Sequence, residues 1–468
     1  MKTGYVDVAV IGAGSAGLTA FREAANMTRD VVLIEGGPYG TTCARVGCMP
    51  SKLLIAAADA AHSVQEAPAF GIDTGLVSID SHAVMDRVRS ERDRFVSFVL
   101  DSVEAIPETQ RIRGNAKFVD DHVLEIDSGS TVHAKRIVIA TGSSPTWPPM
   151  LEGLGDRLVI NDDIFDWNSL PRSVAVFGAG VIGLELGQAL HRLGVDVRLF
   201  GVRGNIGPLS DPDVLAIAAN TFGNEFYMDT NASVQKVERI EDGVRVMYKN
   251  QQGNQETADV DFVVAATGRV PNTVGLGLNN TSLPLDERGV PTFDATTMRI
   301  GKSHVFIAGD MSDERVVLHE AADEGRIAGR NAGQYPQVCA HQRSTPLGIV
   351  FSDPGIAMVG QSFAEIDRQN IVVGEASFED QGRSRIMLRN NGLLRIYAGA
   401  RSGLFLGAEM IGPRAEHIGH LLAWAHQSGM TVPQMLDMPF YHPVIEEAVR
   451  TALRDANMQL KYEVDRVA

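Results

Sequence analysis

Cysteine is scarce: three residues, at 43, 48 and 339, occur in 468. A disulfide framework cannot be built from them, so the chain suits a reducing compartment such as the cytoplasm, and any close pair points to catalysis. Positive charge is also short, with Lys+Arg 42 against Asp+Glu 58 and a formal net charge of −16. That field repels nucleic acid and anionic membrane surfaces and argues against both as partners. Long apolar runs are missing too. Val174 to Phe177 and Val263 to Thr267 fall far short of the ~20 residues needed to span a bilayer, and no basic, apolar leader precedes a first strand expected from about Val6. What is present is a 44% hydrophobic, 21% charged chain long enough for about three globular domains.

The most informative pattern is an internal repeat. Val8-Ala9-Val10-Ile11-Gly12-Ala13-Gly14-Ser15-Ala16-Gly17 has a partner in Val174-Ala175-Val176-Phe177-Gly178-Ala179-Gly180-Val181-Ile182-Gly183. Each copy predicts a strand, a G-x-G-x-x-G turn and a helix, the phosphate-binding arrangement of a dinucleotide unit. Gly12 and Gly178 make the tight turn, Gly14 and Gly180 admit a pyrophosphate, and Gly17 and Gly183 let the helix close on its strand. In the first copy the next strand ends in Glu35, a carboxylate suited to an unmodified ribose diol. The same count in the second copy falls on Gly201, with Arg198 and Arg203 nearby. An arginine there suits a 2′-phosphate. The alternative is that Arg198 packs beside the sheet or faces solvent and Arg203 is a loop charge.

Two further apolar segments end in Ala140-Thr141-Gly142 and Ala266-Thr267-Gly268, and a third ends in Gly309-Asp310, where the acid suits a sugar or ribityl hydroxyl. Cys43 and Cys48 form C-x4-C in Thr42-Cys43-Ala44-Arg45-Val46-Gly47-Cys48-Met49-Pro50-Ser51-Lys52, directly after the first repeat. No second Cys pair or Cys/His cluster stands nearby to complete a zinc site, so no metal is expected. A cycling dithiol/disulfide suits the position better than two buried free thiols, although both remain open on spacing alone. Cys339 is expected to be a structural thiol.

With these motifs in this order, and His442-Pro443-Val444-Ile445-Glu446-Glu447 near the C-terminus, the chain resembles over nearly its whole length the FAD-dependent pyridine nucleotide-disulfide oxidoreductases. That family includes dihydrolipoyl dehydrogenase, glutathione reductase and mercuric reductase. Pro50-Ser51-Lys52 resembles the dihydrolipoyl dehydrogenase branch, whereas Ala44-Arg45 and Val444 depart from the family pattern. The resemblance implies an α/β fold with two Rossmann-like dinucleotide-binding domains, for FAD and NAD(P), plus a C-terminal α+β dimerisation domain. The expected spans are 1–149 for FAD, 150–270 for NAD(P), 271–345 for a return segment and 346–468 for dimerisation.

It further implies a homodimer whose partner is a small dithiol/disulfide or a lipoyl-carrier protein. Cys43 would exchange with substrate as the exposed sulfur and Cys48 would face the flavin. His442 would act as base, oriented by Glu447 and serving the other subunit's cysteines, while Lys52 would lie by the flavin and pair with Glu185. Thr42, Lys52, Ala116, Thr141, Gly142 and Asp310 join Gly12, Gly14, Gly17 and Glu35 as expected FAD contacts. Glu185, Arg203 and Gly268 join Gly178, Gly180 and Gly183 on the NAD(P)H side. The alternatives are an NADPH-dependent reductase of another small disulfide, a flavin transhydrogenase without thiol chemistry, and a non-catalytic nucleotide-binding protein.

Overall fold

Val8, Val10, Leu33 and Val138 pack into one hydrophobic core, while their chain neighbours Ala9, Ile11, Val32, Ile34, Ile137 and Ile139 pack into a second. Alternation across the pleat thus puts apolar residues on both faces of one sheet, as expected of parallel strands covered on two sides. The computed structural model describes residues 3–467 and divides into two units.

The first unit comprises residues 1–53, 86–146 and 269–343. Its central strands run parallel in the order Val305–Ile307, Ser130–Ile139, Thr3–Ile11, Val31–Glu35, Arg111–Arg113. An antiparallel hairpin, Ala116–Phe118 with Val123–Ile126, joins beside Ser130–Ile139. On one face the helices Ser15–Ala25 and Leu318–Gln334 lie almost backbone to backbone. A β-carbon on Gly325 would sit 2.2 Å from the Ala16 carbonyl oxygen, and one on Gly329 would sit 2.3 Å from that of Ala20. Only glycine permits this approach.

The second unit comprises residues 54–85, 147–268 and 344–468. It holds a second parallel sheet in the order Tyr227–Asp229, Asp196–Phe200, Ser173–Phe177, Phe262–Ala265, Leu158–Val159. The helix Val181–Arg192 packs against this sheet. A three-stranded meander, Ser233–Ile240, Gly243–Lys249 and Gln255–Val260, shares a core with Ala175, Phe177 and Phe200. The same unit ends in a five-stranded antiparallel sheet ordered Leu347–Val350, Gly355–Gly360, Phe405–Gly412, Leu393–Gly399, Ile371–Ser377, packed with the helices Ala415–Gln427 and Glu447–Val467. The architecture is therefore the expected one: two Rossmann-like parallel sheets and a C-terminal antiparallel sheet with helices. Among the described residues no helix is long and apolar enough to cross a membrane.

Candidate active site

Both glycine turns close in the same way. Gly12 has φ +104°, and a β-carbon there would meet the Ala140 carbonyl oxygen at 2.2 Å; Gly178 has φ +113° and would meet that of Ala266 at 2.2 Å. β-Carbons on Gly17 and Gly183 would lie 1.8 and 1.9 Å from the carbonyl oxygens of Gly12 and Gly178. Gly14 and Gly180, by contrast, have no protein atom within 4 Å of that position. Each opens its helix without a side-chain cap and without an acid in the first turn. The first N–H groups of both helices consequently face open space, which fits the pyrophosphate of a dinucleotide.

Glu35 ends its strand with Oε2 accepting the Ala13 N–H and Oε1 that of Gly37, both at 2.6 Å, so the carboxylate is fixed beside the first turn. Its carbonyl accepts from Gly114 N–H, which brings the buried Ala116 close in sequence to the same strand end. Thr141 donates its hydroxyl to the Asn272 carbonyl at 3.1 Å, and Asn272 Nδ2 donates back to the Thr141 carbonyl at 2.8 Å. Gly142 holds φ +69° at this junction. Asp310 accepts from Ser143 Oγ at 2.7 Å, and Arg269 Nε donates to that same hydroxyl at 2.8 Å. Sequence reasoning noted Ser143 and Arg269 only as the ends of two glycine-turn motifs and missed Asn272, because no local pattern announces pairs more than a hundred residues apart.

On the nicotinamide side the two arginines part ways. Arg198 Nη1 donates to Tyr248 Oη at 2.7 Å and its guanidinium lies over the Tyr227 ring at 5.2 Å, so it packs beside the sheet against the meander. Arg203 is exposed in the left-handed region, at φ +59°. Gly201 is tightly enclosed: a β-carbon would lie 3.1 Å from both Ala179 Cβ and Thr230 Cα. A side chain at 201 would press these neighbours back by a few tenths of an ångström. The following loop folds back to the second glycine turn through Gly207 N–H to the Ala179 carbonyl, 2.8 Å. Its end is held by the fully buried Glu409, which accepts from the backbone N–H groups of Ser210 and Asp211 at 2.7 and 2.8 Å. Glu185 is buried and accepts from Phe351 N–H at 3.0 Å. Gly268 has φ +118° with no protein atom near its β-carbon position.

Thr42–Val46 and Cys48–Glu66 are successive helices broken at Gly47, where a β-carbon would lie 3.1 Å from the Thr42 carbonyl oxygen and 3.3 Å from Cys43 Cα. The break turns Cys48 toward Cys43, and the two thiols are not joined in a disulfide but are in hydrogen-bonding contact. That contact pushes the Cys43 thiol far up, with burial and the charge of Cys48 adding to the rise; Lys52 acts in the opposite sense. Cys48 is the first residue of a 19-residue helix. Exposure runs opposite to the sequence expectation, with Cys48 exposed and Cys43 half-buried beneath the turn. Thr42 is exposed on the first turn. The Arg45 stem and Val96 close over Gly40, each 3.0 Å from where a β-carbon would be.

Farther along the chain, His442 Nδ1 lies 3.0 Å from Glu447 Oε2, and that carboxylate also accepts from Val444 N–H at 3.2 Å. The histidine bond holds the Glu447 carboxyl below the usual glutamate range. The His442 side chain is 79% exposed, so its position is fixed by Glu447 while its outer edge remains open. Cys339 is exposed, with its backbone N–H and carbonyl paired to Asn331. Among the described residues no group of three or more His, Cys, Asp or Glu is placed to hold a metal ion.

Residues 6–325 match the pyridine nucleotide-disulphide oxidoreductase family, and residues 347–453 match its dimerisation domain. Among curated relatives, dihydrolipoyl dehydrogenase 2 of Haloarcula marismortui is 30% identical over 460 residues, covering 95% of both chains. Dihydrolipoyl dehydrogenase of Haloferax volcanii is 30% identical over 476 residues, covering 98% of both. Among solved structures, LpdA from Mycobacterium tuberculosis superposes with a TM-score of 0.81 at 25% identity, covering 96% of this chain and 99% of that one. The HOCl-induced flavoprotein disulfide reductase RclA from Escherichia coli has the same fold, with a TM-score of 0.81 at 22% identity over 96% of this chain and 99% of its own. Two glycine turns, a paired C-x4-C and a matched dimerisation domain lead to one conclusion: the chain belongs to the pyridine nucleotide-disulphide oxidoreductase family and is an enzyme of that family.

Proposed function

We propose that the protein is a homodimeric, cytoplasmic, dihydrolipoyl dehydrogenase-like flavoenzyme that moves electrons between a dithiol/disulfide substrate and NAD(P). The observation that carries this reading is the hydrogen-bonded Cys43–Cys48 pair at the start of a long helix. Residues 1–149 are assigned to FAD, 150–270 to NAD(P), 271–345 to the return segment and 346–468 to dimerisation. Bound FAD would relay an electron pair between the nicotinamide and the cysteines. Gly12, Gly14, Gly17, Glu35, Thr42, Ala116, Thr141, Gly142 and Asp310 are assigned to holding it. Gly178, Gly180, Gly183 and Gly268 are assigned to the nicotinamide dinucleotide. Lys52 contributes a positive charge near the flavin and Glu185 a buried carboxylate on the nicotinamide side.

In the reductive direction His442, held by Glu447, takes the Cys43 thiol proton as Cys43 Sγ attacks a substrate disulfide, and gives that proton to the departing sulfur. The Cys48 thiolate then attacks Cys43 Sγ, releasing the second substrate sulfur and leaving a Cys43–Cys48 disulfide; dithiol oxidation is the reverse. The exposed Cys48 sulfur is the one assigned to the flavin, and Cys43 to substrate. Anaerobic two-electron reduction of holoenzyme is expected to give a long-wavelength charge-transfer band that Cys48→Ser abolishes. Dihydrolipoamide turnover surviving in Cys48→Ser would defeat the reading.

A second reading, an NADPH-linked reductase of another small disulfide, is favoured by the enclosed Gly201 beside the exposed Arg203. Assays of lipoamide and other small disulfides, each with NADH and NADPH, separate the two. Arg203→Ala is expected to lower kcat/KM for NADPH by about tenfold and to spare NADH, the size of one lost charge-assisted hydrogen bond. An unchanged NADPH value removes Arg203 from the nicotinamide site.

A further inference from the structure

Glu324 is a carboxylate with no accessible surface, lying in the helix Leu318–Gln334 and absent from every role assigned above. Burying a carboxylate is costly unless its oxygens are satisfied by donors. Here Oε2 accepts the backbone N–H of Gly309 at 2.8 Å, and Oε1 accepts from Arg343 Nη2 at 2.7 Å. The Ser312 hydroxyl bonds to the same side chain. Glu324 therefore grips both ends of the short turn Gly309–Ser312, in which Asp310 is the second residue. Arg343 is itself held by Glu320 at 2.8 Å, and Glu320, 1% exposed, is also bound by Arg315 at 2.9 Å.

The turn has little freedom in the other direction. Gly309 adopts φ +73°, and a β-carbon on it would lie 2.8 Å from Ala16 Cβ, in the first turn of the helix that follows the first glycine motif. Ala16 is also the residue whose carbonyl oxygen crowds Gly325, the chain neighbour of Glu324. One carboxylate and one crowded alanine thus fix the Asp310 turn relative to the helix N-terminus at Gly14.

We propose that Glu324, bonded at once to Gly309 and Arg343, is a positioning residue for flavin binding: it sets Asp310 in register with the phosphate-binding helix. The inference rests on the assignment of Asp310 to the flavin. It predicts that Glu324 acts through Asp310, so substitutions at the two positions do not add. Glu324→Gln keeps the side-chain size and leaves an oxygen to accept from Gly309, but puts an amide NH2 where Oε1 accepts from Arg343.

The test is titration of FAD with apoprotein, followed by flavin fluorescence, for wild type, Glu324→Gln, Asp310→Asn and the double variant. Each single variant is expected to raise the FAD dissociation constant by about tenfold, as for a lost charge-assisted hydrogen bond, and the double variant is expected to match Asp310→Asn. Ser312→Ala, which removes one donor to Glu324 without substituting the carboxylate, runs in the same cycle with an expected threefold weakening (about half of that loss on a logarithmic scale). It supplies the decisive comparison if Glu324→Gln does not fold. Full additivity with Asp310→Asn, or an unchanged affinity in the Glu324 and Ser312 variants, overturns the inference and leaves Asp310 in its role. An unchanged affinity in Asp310→Asn overturns the flavin assignment of Asp310, and this inference with it.

Discussion

Thr41 holds φ +57° and ψ 151° immediately before the first cysteine helix, a region that a β-branched residue occupies only under strain. Its Oγ1 accepts from Ala44 N–H at 3.3 Å, a long bond that offsets little of that cost. Thr41→Gly should therefore stabilise the protein by about 1 kcal/mol, and Thr41→Val, which keeps the strain and loses the bond, should destabilise it. Thermal melts of the two variants check this; a lower Tm for Thr41→Gly would refute it. With His442 in its proposed role, His442→Gln should slow the dithiol half-reaction by about 100-fold and leave flavin reduction by nicotinamide unchanged, as rapid-mixing measurements of the two half-reactions would reveal. Glu447 titrates below the ordinary glutamate value because of its bond to His442. The stabilisation from that pair is thus complete above the ordinary value and is lost as pH falls through the lowered one. The melting-temperature difference between wild type and Glu447→Gln should therefore shrink as pH falls below the ordinary glutamate value, and a difference that stays constant across that range would refute the contribution of the pair.

Within each dinucleotide element the three glycines have different physical duties. A β-carbon on Gly17 would overlap the Gly12 carbonyl oxygen at 1.8 Å, whereas one on Gly14 would meet nothing in the protein. Gly17→Ala should lower the melting temperature of the apoprotein, and Gly14→Ala should leave it unchanged while weakening FAD by about tenfold. Melting curves of apoprotein alongside FAD titration separate the two effects; an unaltered FAD affinity in Gly14→Ala would count against pyrophosphate at this turn. Gly183 and Gly180 repeat the pair on the nicotinamide side, where the readout is KM for the nicotinamide. The strand ends of the two elements differ more. Glu35 is pinned by two backbone N–H groups, while a β-carbon at Gly201 would be tight against Ala179 and Thr230. Testing the nicotinamide preference with an acid at 201 would confound charge with crowding, which makes Arg203 the informative position.

At the scale of the whole molecule, the groups proposed for catalysis are 399 positions apart in sequence, at Cys43 and His442, and the chain carries a matched dimerisation domain. The exposed outer edge of His442 suits service to the partner subunit. Heterodimers of His442→Gln and Cys43→Ser chains should then regain up to about half of wild-type activity, because one of the two sites is intact. Mixed preparations as inactive as the two parents would place the histidine with its own chain's cysteines.

Parallel strands, glycine turns and the C-x4-C pair were legible in the residues alone, because each depends on neighbours within about a dozen positions: apolar alternation, φ preference and helix propensity act locally. The fate of Arg198 was not, since Tyr248 reaches it only after the meander folds onto the sheet. The Glu324 grip on Gly309 and the Glu409 hold on Ser210 likewise join separate elements. Buried polar groups must find donors wherever packing brings them, and a one-dimensional pattern records the need for a partner without recording which residue meets it.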